Sequence, residues 1–555
     1  MGHTTPAVEP AAPGMLARER WAILLLALAG AAFLPGALDR FVFPKLALAA
    51  AGVLLAVSGP ARGGLPRTIV GLLMLAGVLL LAAASGGATP LQQILGRPPR
   101  YEGLVALPIY LGALAGGARL LGPQRARGST AWLLDALSLA ALAIGVEAAL
   151  EAAGLRPLVS NVSRPGSLLG NASDQGAWAV LALGPLGAVA IRLRGRLHQA
   201  GALGAAVALA TSGSRGALVG AVVLALVLAW LAPSRASRLA IAAACTILAL
   251  GVLALPTTRS RVLATSQLSR KTVTGRTLLW RETLELVRDH PLLGVGPGGY
   301  VDAIPVYHDR RYEREVGPAN PPDSPEDWLL QAAAAGGLGL ALLALILAGL
   351  VLRRGAEAVA EQPSAAERIA FGGMLAGLSG FSIALLFHFT SAGTTPLAAL
   401  FAGALIAAAP RSAARAFTPL RAVLVAAYAA LTVVLAAGAA AELPLRSALL
   451  QAAAGNLAAA DRDFHTARDL RPWDAGVAQT ATHAFAVLAL DHVAGAGRLG
   501  WPWAVKELAA YPDSIQGLED AATLESAAGR PGAAARLLSR ARRLEPEDPD
   551  LRSGA

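Results

Sequence analysis

The feature that most constrains this chain is a succession of apolar runs, each long enough to cross a lipid bilayer and each separated from the next by polar residues. A helix of about 17 to 25 apolar residues matches the hydrocarbon thickness, and only helices or closed barrels satisfy every backbone group in lipid. The runs fall at 22–38, 41–58, 68–85, 104–121, 131–153, 176–191, 198–212, 216–232 and 239–256. After a polar gap they resume at 328–352, 369–387, 394–409 and 422–442. The expected fold is all-α: a polytopic membrane helical bundle of about 13 spans. A mean hydropathy of +0.54 with 15% charged residues excludes an ordinary soluble domain.

Arginines set the expected orientation, because cytoplasmic loops retain positive charge. Loops after the even-numbered runs hold Arg62 and Arg67; Arg119, Arg125 and Arg127; Arg192, Arg194 and Arg196; Arg235 and Arg238; Arg353, Arg354 and Arg368; and Arg411, Arg415 and Arg421. The tail 1–21 is then cytoplasmic, whereas the gap 257–327 and everything after 442 face outward. Arg18 and Arg20 precede the first run, but no small-residue cleavage site follows, so it reads as a membrane helix and not a removed signal peptide. Three of the 47 basic residues are lysines, and no basic cluster is interleaved with aromatics, which argues against a nucleic-acid partner. A single cysteine, Cys245, leaves no internal disulfide framework and no Cys-based zinc site.

From 443 onward the composition becomes charged, Ala-rich and helical. Gly455 to Pro472 and Gly529 to Pro546 superimpose without gaps and agree at a turn glycine, an alanine pair, a further alanine, two arginines, a late leucine and a terminating proline. Their spacing is about two repeats of the 34-residue tetratricopeptide type. The expectation is an α-helical repeat domain over 443–555, with a degenerate middle unit ending near Pro512, which binds a protein partner or an acceptor.

The polar motifs gather on the outward side: Arg97, Arg100, Tyr101 and Glu102; Arg164 through Gly170-Asn171; Thr211 through Arg215-Gly216; the long gap; and His388. Arginines with few acids to neutralise them favour a polyanion, since the guanidinium fork donates two hydrogen bonds at once and stays charged when desolvated. Arg215 stands in a polar turn with hydroxyls and glycines as sequence neighbours; it is either a phosphate ligand or an arginine snorkelling to lipid headgroups. Within the gap, Gly275 to His290 reads as an amphipathic helix. Arg281 and Arg288 have Glu285 as a local partner. Arg276 faces Trp280 and is expected in the first helical turn, where a bound anion would relieve its conflict with the helix dipole.

Gly294-Val-Gly296-Pro-Gly-Gly299 matches GxGxxG without the strand–turn–helix setting of a dinucleotide site, so a hinge or a close backbone approach to a ligand is the better reading. Asp323, Glu326 and Asp327 precede the tenth run; they serve either as proton acceptors or as the solvated start of a helix. The DxD pairs Asp461/Asp463 and Asp548/Asp550 lie in the repeat domain, away from the arginines, so no metal site and no cofactor are expected.

Four segments, Arg100-Tyr-Glu-Gly103, Arg164 to Asn171, Thr211 to Gly216 and Gly275-Arg276 to Gly298, resemble in their order the O-antigen ligase family, which includes O-antigen polymerases and pilin oligosaccharyltransferases. The resemblance covers most of 90–410. It implies a GT-C-like catalytic domain over 22–442 in a bacterial inner membrane, moving a glycan from a polyprenyl diphosphate carrier to a glycan, lipid or protein acceptor on the outer face, without metal. Arg215 and Arg276 would hold the diphosphate, with Arg100, Arg164, Asn171, Trp280 and Arg281 as further donor or glycan contacts. Where the family carries His-Asn before the next span, this chain has Asp323-Ser-Pro-Glu326-Asp327, so Glu326 or Asp327 would serve as base. The competing class is a non-catalytic scaffold or glycolipid-binding membrane protein that recruits partners through its repeats.

Overall fold

The computed structural model describes residues 14–86, 89–158, 164–193, 195–265, 267–318, 322–409 and 419–552. Arg194, Arg411 and Arg415 of the expected basic loops, most of the N-terminal tail and residues 553–555 lie outside these ranges. The named elements are all helices, and each of the thirteen apolar runs falls on one. Seven helices among the described residues are long and apolar enough to cross a membrane, and Val42–Ser58, Ala106–Leu121, Arg215–Trp230 and Thr395–Ile406 are apolar but shorter. This is a multi-pass membrane helical protein.

The first run is corrected. Its helix is Ala17–Leu28, continued by one 3₁₀ turn, Ala29–Ala31, and does not reach residue 38. Pro35 lacks an amide proton to extend a helix and Gly36 takes a left-handed φ of +81°, so the chain reverses there.

Small residues let the helices touch backbone to backbone. A Cβ on Gly403 would lie 1.8 Å from the Leu114 carbonyl oxygen, which fixes Thr395–Ile406 against Ala106–Leu121. The basic loops meet at one end of the bundle. Arg62 pairs with Glu19 at 2.6 Å and Arg125 with Glu367 at 2.6 Å. Arg119 and Arg421 both donate to Gly59 O, at 2.7 and 2.8 Å, satisfying carbonyls that the end of Val42–Ser58 leaves without partners.

The polar gap and the C-terminal helices occupy the other end. The gap is built on Gln267–Asp289, and the helix after it, Trp328–Glu361, is broken at Gly336–Gly337. That break frees backbone groups which the gap supplies with partners: Val295 N donates to Ala334 O at 2.7 Å and Leu338 N to Pro291 O at 2.9 Å. The glycine motif thus approaches the backbone and side chains of neighbouring protein segments closely. Gly298 N donates to Gln93 Oε1 at 3.0 Å, and Gln92 Nε2 to Gly298 O at 2.7 Å, so the short helix Pro90–Leu95 is bound to the same loop.

After the bundle, Pro419–Ala453 runs on through the position where the composition changes. Leu457–Leu470, Gly476–Leu490, Ala496–Ala510, Ile515–Ala527 and Pro531–Leu544 follow as packed neighbours. The two superimposable segments play matching parts. Gly455 and Gly529 turn the chain at φ +75° and +74°, and Ala460, Ala534, Ala467 and Ala541 are buried at helix contacts. Phe464, Phe485 and Trp503 fill the core between the helices.

This array is anchored through Arg471. Its buried guanidinium reaches Glu442 at 2.5 Å and Asp474 at 2.9 Å, and lies over the rings of Phe43 and Tyr101.

Candidate functional site

The site begins at the turn between two helices. Arg196–Ser212 ends at Gly213, whose left-handed φ of +59° reverses the chain, and Ser214 caps the next helix by accepting from Ala217 N. Arg215 is therefore the first residue of its helix, projecting from the reversal. Its Nε donates to Arg261 O at 2.8 Å. Arg261 lies on the short helix Pro256–Val262, which Thr258 Oγ1 ties to Ala210 O at 3.0 Å.

Arg164, Arg215, Arg261 and Arg276 line one small pocket of about 60 Å³, together with Ser173 and Ser214. The hydroxyl and glycine neighbours legible in sequence are thus joined by three further guanidinium groups. Burial, reinforced by the neighbouring guanidinium groups, lowers the proton affinity of two of them, Arg164 and Arg261. Burial, then Arg261 and Arg276, push Arg164 down to about 10, with Glu326 opposing. Burial, Arg215 and Arg276 also lower Arg261. Cations gathered at such a cost in charge repulsion favour an anionic occupant.

Arg276 is not in a first turn. Its helix starts at Gln267, so Arg276 lies about two and a half turns inside and its amide is not free to bind an anion. Recognition there depends on the guanidinium alone, which forms an ion pair with Glu326. Trp280 Nε1 donates to Pro325 O at 2.9 Å and holds the strand of backbone that carries Glu326. Asp327 accepts from Leu329 N and Leu330 N at 2.8 and 2.9 Å and caps the following helix. Arg281 is exposed and pairs with Asp309 at 2.6 Å and Glu285 at 3.5 Å, outside the pocket. Arg288 makes no ion pair with Glu285.

Arg100 and Asn171 belong to a neighbouring cavity of about 240 Å³, lined also by Asp39, Phe41, Asp174 and Phe389. Arg100 pairs with Glu102 at 2.9 Å and Asp323 at 3.4 Å and stacks on Phe389, its guanidinium carbon 3.9 Å from the ring centre. Asn171 Oδ1 accepts from Ser173 N at 2.7 Å at the start of Ala172–Leu193. His388 meets Asp174 at 2.9 Å, both buried. Ser173 lines the first cavity and the next residue, Asp174, the second.

Arg261 is the residue that sequence reasoning missed. Arg259-Ser-Arg261 looks like the polar flank of a membrane helix, and only the fold of the short helix against the Arg215 turn separates it from its neighbour. Among the described residues no group of three or more His, Cys, Asp or Glu side chains is placed to hold a metal ion.

Residues 200–346 match the family model of the O-antigen ligases, under half of the chain but including Arg215, Arg261, Arg276 and Glu326. No curated protein matches the chain. The family match supports a ligase-like glycosyltransferase in general.

Proposed function

We propose that this protein is a bacterial inner-membrane glycan ligase that transfers a glycan from a polyprenyl diphosphate carrier to an acceptor hydroxyl on the outer face of the membrane, without metal. The observation that carries this reading is the convergence of Arg164, Arg215, Arg261 and Arg276 on one pocket at the end of the bundle opposite the basic loops. The bundle 22–442 is the catalytic domain on this reading, with thirteen crossings, a cytoplasmic tail 1–21 and the gap 257–327 outside. The helical array 443–555, tetratricopeptide-like, is extracytoplasmic and binds partners.

The carrier's diphosphate enters the arginine pocket and displaces Glu326 from Arg276. The acceptor oxygen attacks the anomeric carbon, the bond from that carbon to the diphosphate oxygen breaks, and the configuration inverts. Negative charge develops on the leaving diphosphate, where the four guanidinium groups are already oriented. Glu326, released from its ion pair, takes the acceptor proton; Asp327, which caps a helix, is less available for that step.

Purified protein mixed with carrier bearing labelled glycan, in detergent with an acceptor extract and EDTA, tests this reading. Transfer is expected in the wild type and a loss of about 10²-fold or more in Arg276→Ala, the scale for removing one donor to a developing charge. Undiminished transfer in that variant removes the phosphate role. Carrier that keeps all its glycan with the wild type favours the scaffold class.

A further inference from the structure

A third cavity, of about 270 Å³, lies where the helical array meets the outer segment. Arg97, Asp302 and Asp323 line it from the membrane domain, and Gln479, Asp513 and Gln516 from the array. Pro99 and Asp323 also line the Arg100 cavity, so these two cavities share a wall. Ser173 of the arginine pocket is followed in sequence by Asp174 of the Arg100 cavity, so the start of Ala172–Leu193 contributes to both.

The charged lining differs between the cavities. Four arginines line the first, whereas Asp302, Asp323 and Asp513 line the third, paired with Arg97, Arg100 and Arg540 respectively. Its one arginine, Arg97, is bound to Asp302 and donates to Ser514 Oγ at 2.8 Å. Asp513 is paired with Arg540 at 2.9 Å. With Arg97 already paired, the lining offers no uncommitted guanidinium to a phosphate, and its amide and carboxylate groups are suited to hydroxyls. Gln479 lines the cavity, and its Oε1, shielded from solvent, has no hydrogen-bond partner among the described residues. Gln516 holds only a 3.2 Å contact from its amide nitrogen to Asp520.

The wall is also fixed in place. The buried Arg471 network and the Arg97 bridge from Asp302 to Ser514 hold the array against the membrane domain, so its side chains are pre-positioned and not recruited on binding.

We propose that the helical array forms one wall of a glycan path, with Asp323, Gln479, Asp513 and Gln516 holding sugar residues beside the Arg100 cavity. This rests on the glycan-transfer reading above and gives the array a substrate-binding role in addition to any partner. The ligand is polyhydroxylated and carries no phosphate at this point; it is either the distal part of the donor glycan or the acceptor's own sugars.

The test uses full-length protein in detergent and two lipid-free probes: oligosaccharide released by mild acid from the carrier, and oligosaccharide released from the host's acceptor fraction. Gln479→Leu/Gln516→Leu, which keeps side-chain volume and removes hydrogen bonding, is expected to weaken binding of one probe about tenfold with an unchanged Tm. The probe affected identifies the source. Arg276→Ala is expected to bind the same probe as the wild type does, because it alters the first cavity only. Binding of both probes by the double variant within twofold of wild type overturns the proposal, as does absence of binding of either probe by the wild type. Failure of the transfer reading is read separately, as full transfer by Arg276→Ala.

Discussion

Arg276 and Glu326, fifty positions apart in sequence, form an ion pair at the arginine pocket, with a quarter and a third of their side chains exposed. Glu326 holds this position with a left-handed φ of +51°, a conformation that costs a non-glycine residue about 1–3 kcal/mol and persists where the surroundings enforce it. In the proposed mechanism this strained carboxylate is a placeholder on the cation that holds the diphosphate and, once displaced, a base. Glu326→Gln separates the two effects. Inorganic pyrophosphate should bind more tightly, because Arg276 is released, while kcat for transfer should fall by about 10²-fold or more. A kcat within threefold of wild type would show that Glu326 is only a counter-ion.

The break at Gly336–Gly337 is what seats the outer segment. Gly337 has φ +75°, and a Cβ there would lie 2.2 Å from the Leu292 carbonyl oxygen. Both backbone strain and contact with a carbonyl that cannot move oppose any side chain. Gly337→Ala is expected to cost about 2 kcal/mol or more and to lower the Tm in detergent, with faster proteolysis of the outer segment. Gly339→Ala is the control: its Cβ would meet only Leu79 at 3.6 Å, an ordinary contact, and its Tm should match wild type. Equal melting of both variants would mean that the break does not seat the segment.

The helices were legible because apolar runs of membrane length admit few alternatives; of the arginine-bearing loops, those holding Arg62, Arg119, Arg125 and Arg421 pack close to one another or to shared partners. Arg164, Arg215 and Arg276 could be singled out one by one as arginines without acidic sequence neighbours. Their meeting was expected from the family resemblance and not from spacing, because it depends on the Gly213 reversal and on a short helix that brings Arg261 beside them. The start of the outer helix was misplaced for a local reason. Gly275 looks like a boundary, yet in the fold it is an interior helical residue whose Cβ would meet only Val316 at 3.2 Å. The glycine motif illustrates the same limit. Its glycines are needed for Gln92, Gln93 and the broken helix, partners distant in sequence and invisible to spacing.

The junction between the outer segment and the helical array should respond to pH. Glu313, on Arg310–Glu315, faces Glu545, at the end of Pro531–Leu544, and both are buried. Burial, then Glu313, Asp548 and Glu519, push Glu545 up to about 8; burial, with Asp548 and Glu282 adding and His308 opposing, raises Glu313. Arg310 is close but paired with Glu547 at 2.8 Å. An unfolded glutamate titrates at about 4.3. The folded junction therefore holds a proton that the unfolded chain has released. Its stability is unaffected below about pH 4.3, falls as pH rises through the interval up to about 8, and is constant above it. Thermal unfolding of the wild type should show a lower Tm at pH 8 than at pH 6, and limited proteolysis should release the C-terminal helices faster at the higher pH. Glu545→Gln supplies the hydrogen-bonding partner without a charge, so the drop in Tm between pH 6 and 8 should shrink. The same pH dependence in that variant would place the responsible proton on another group, of which Glu519, raised to about 7 by burial and by Asp548, Asp520 and Asp550, is the next to change.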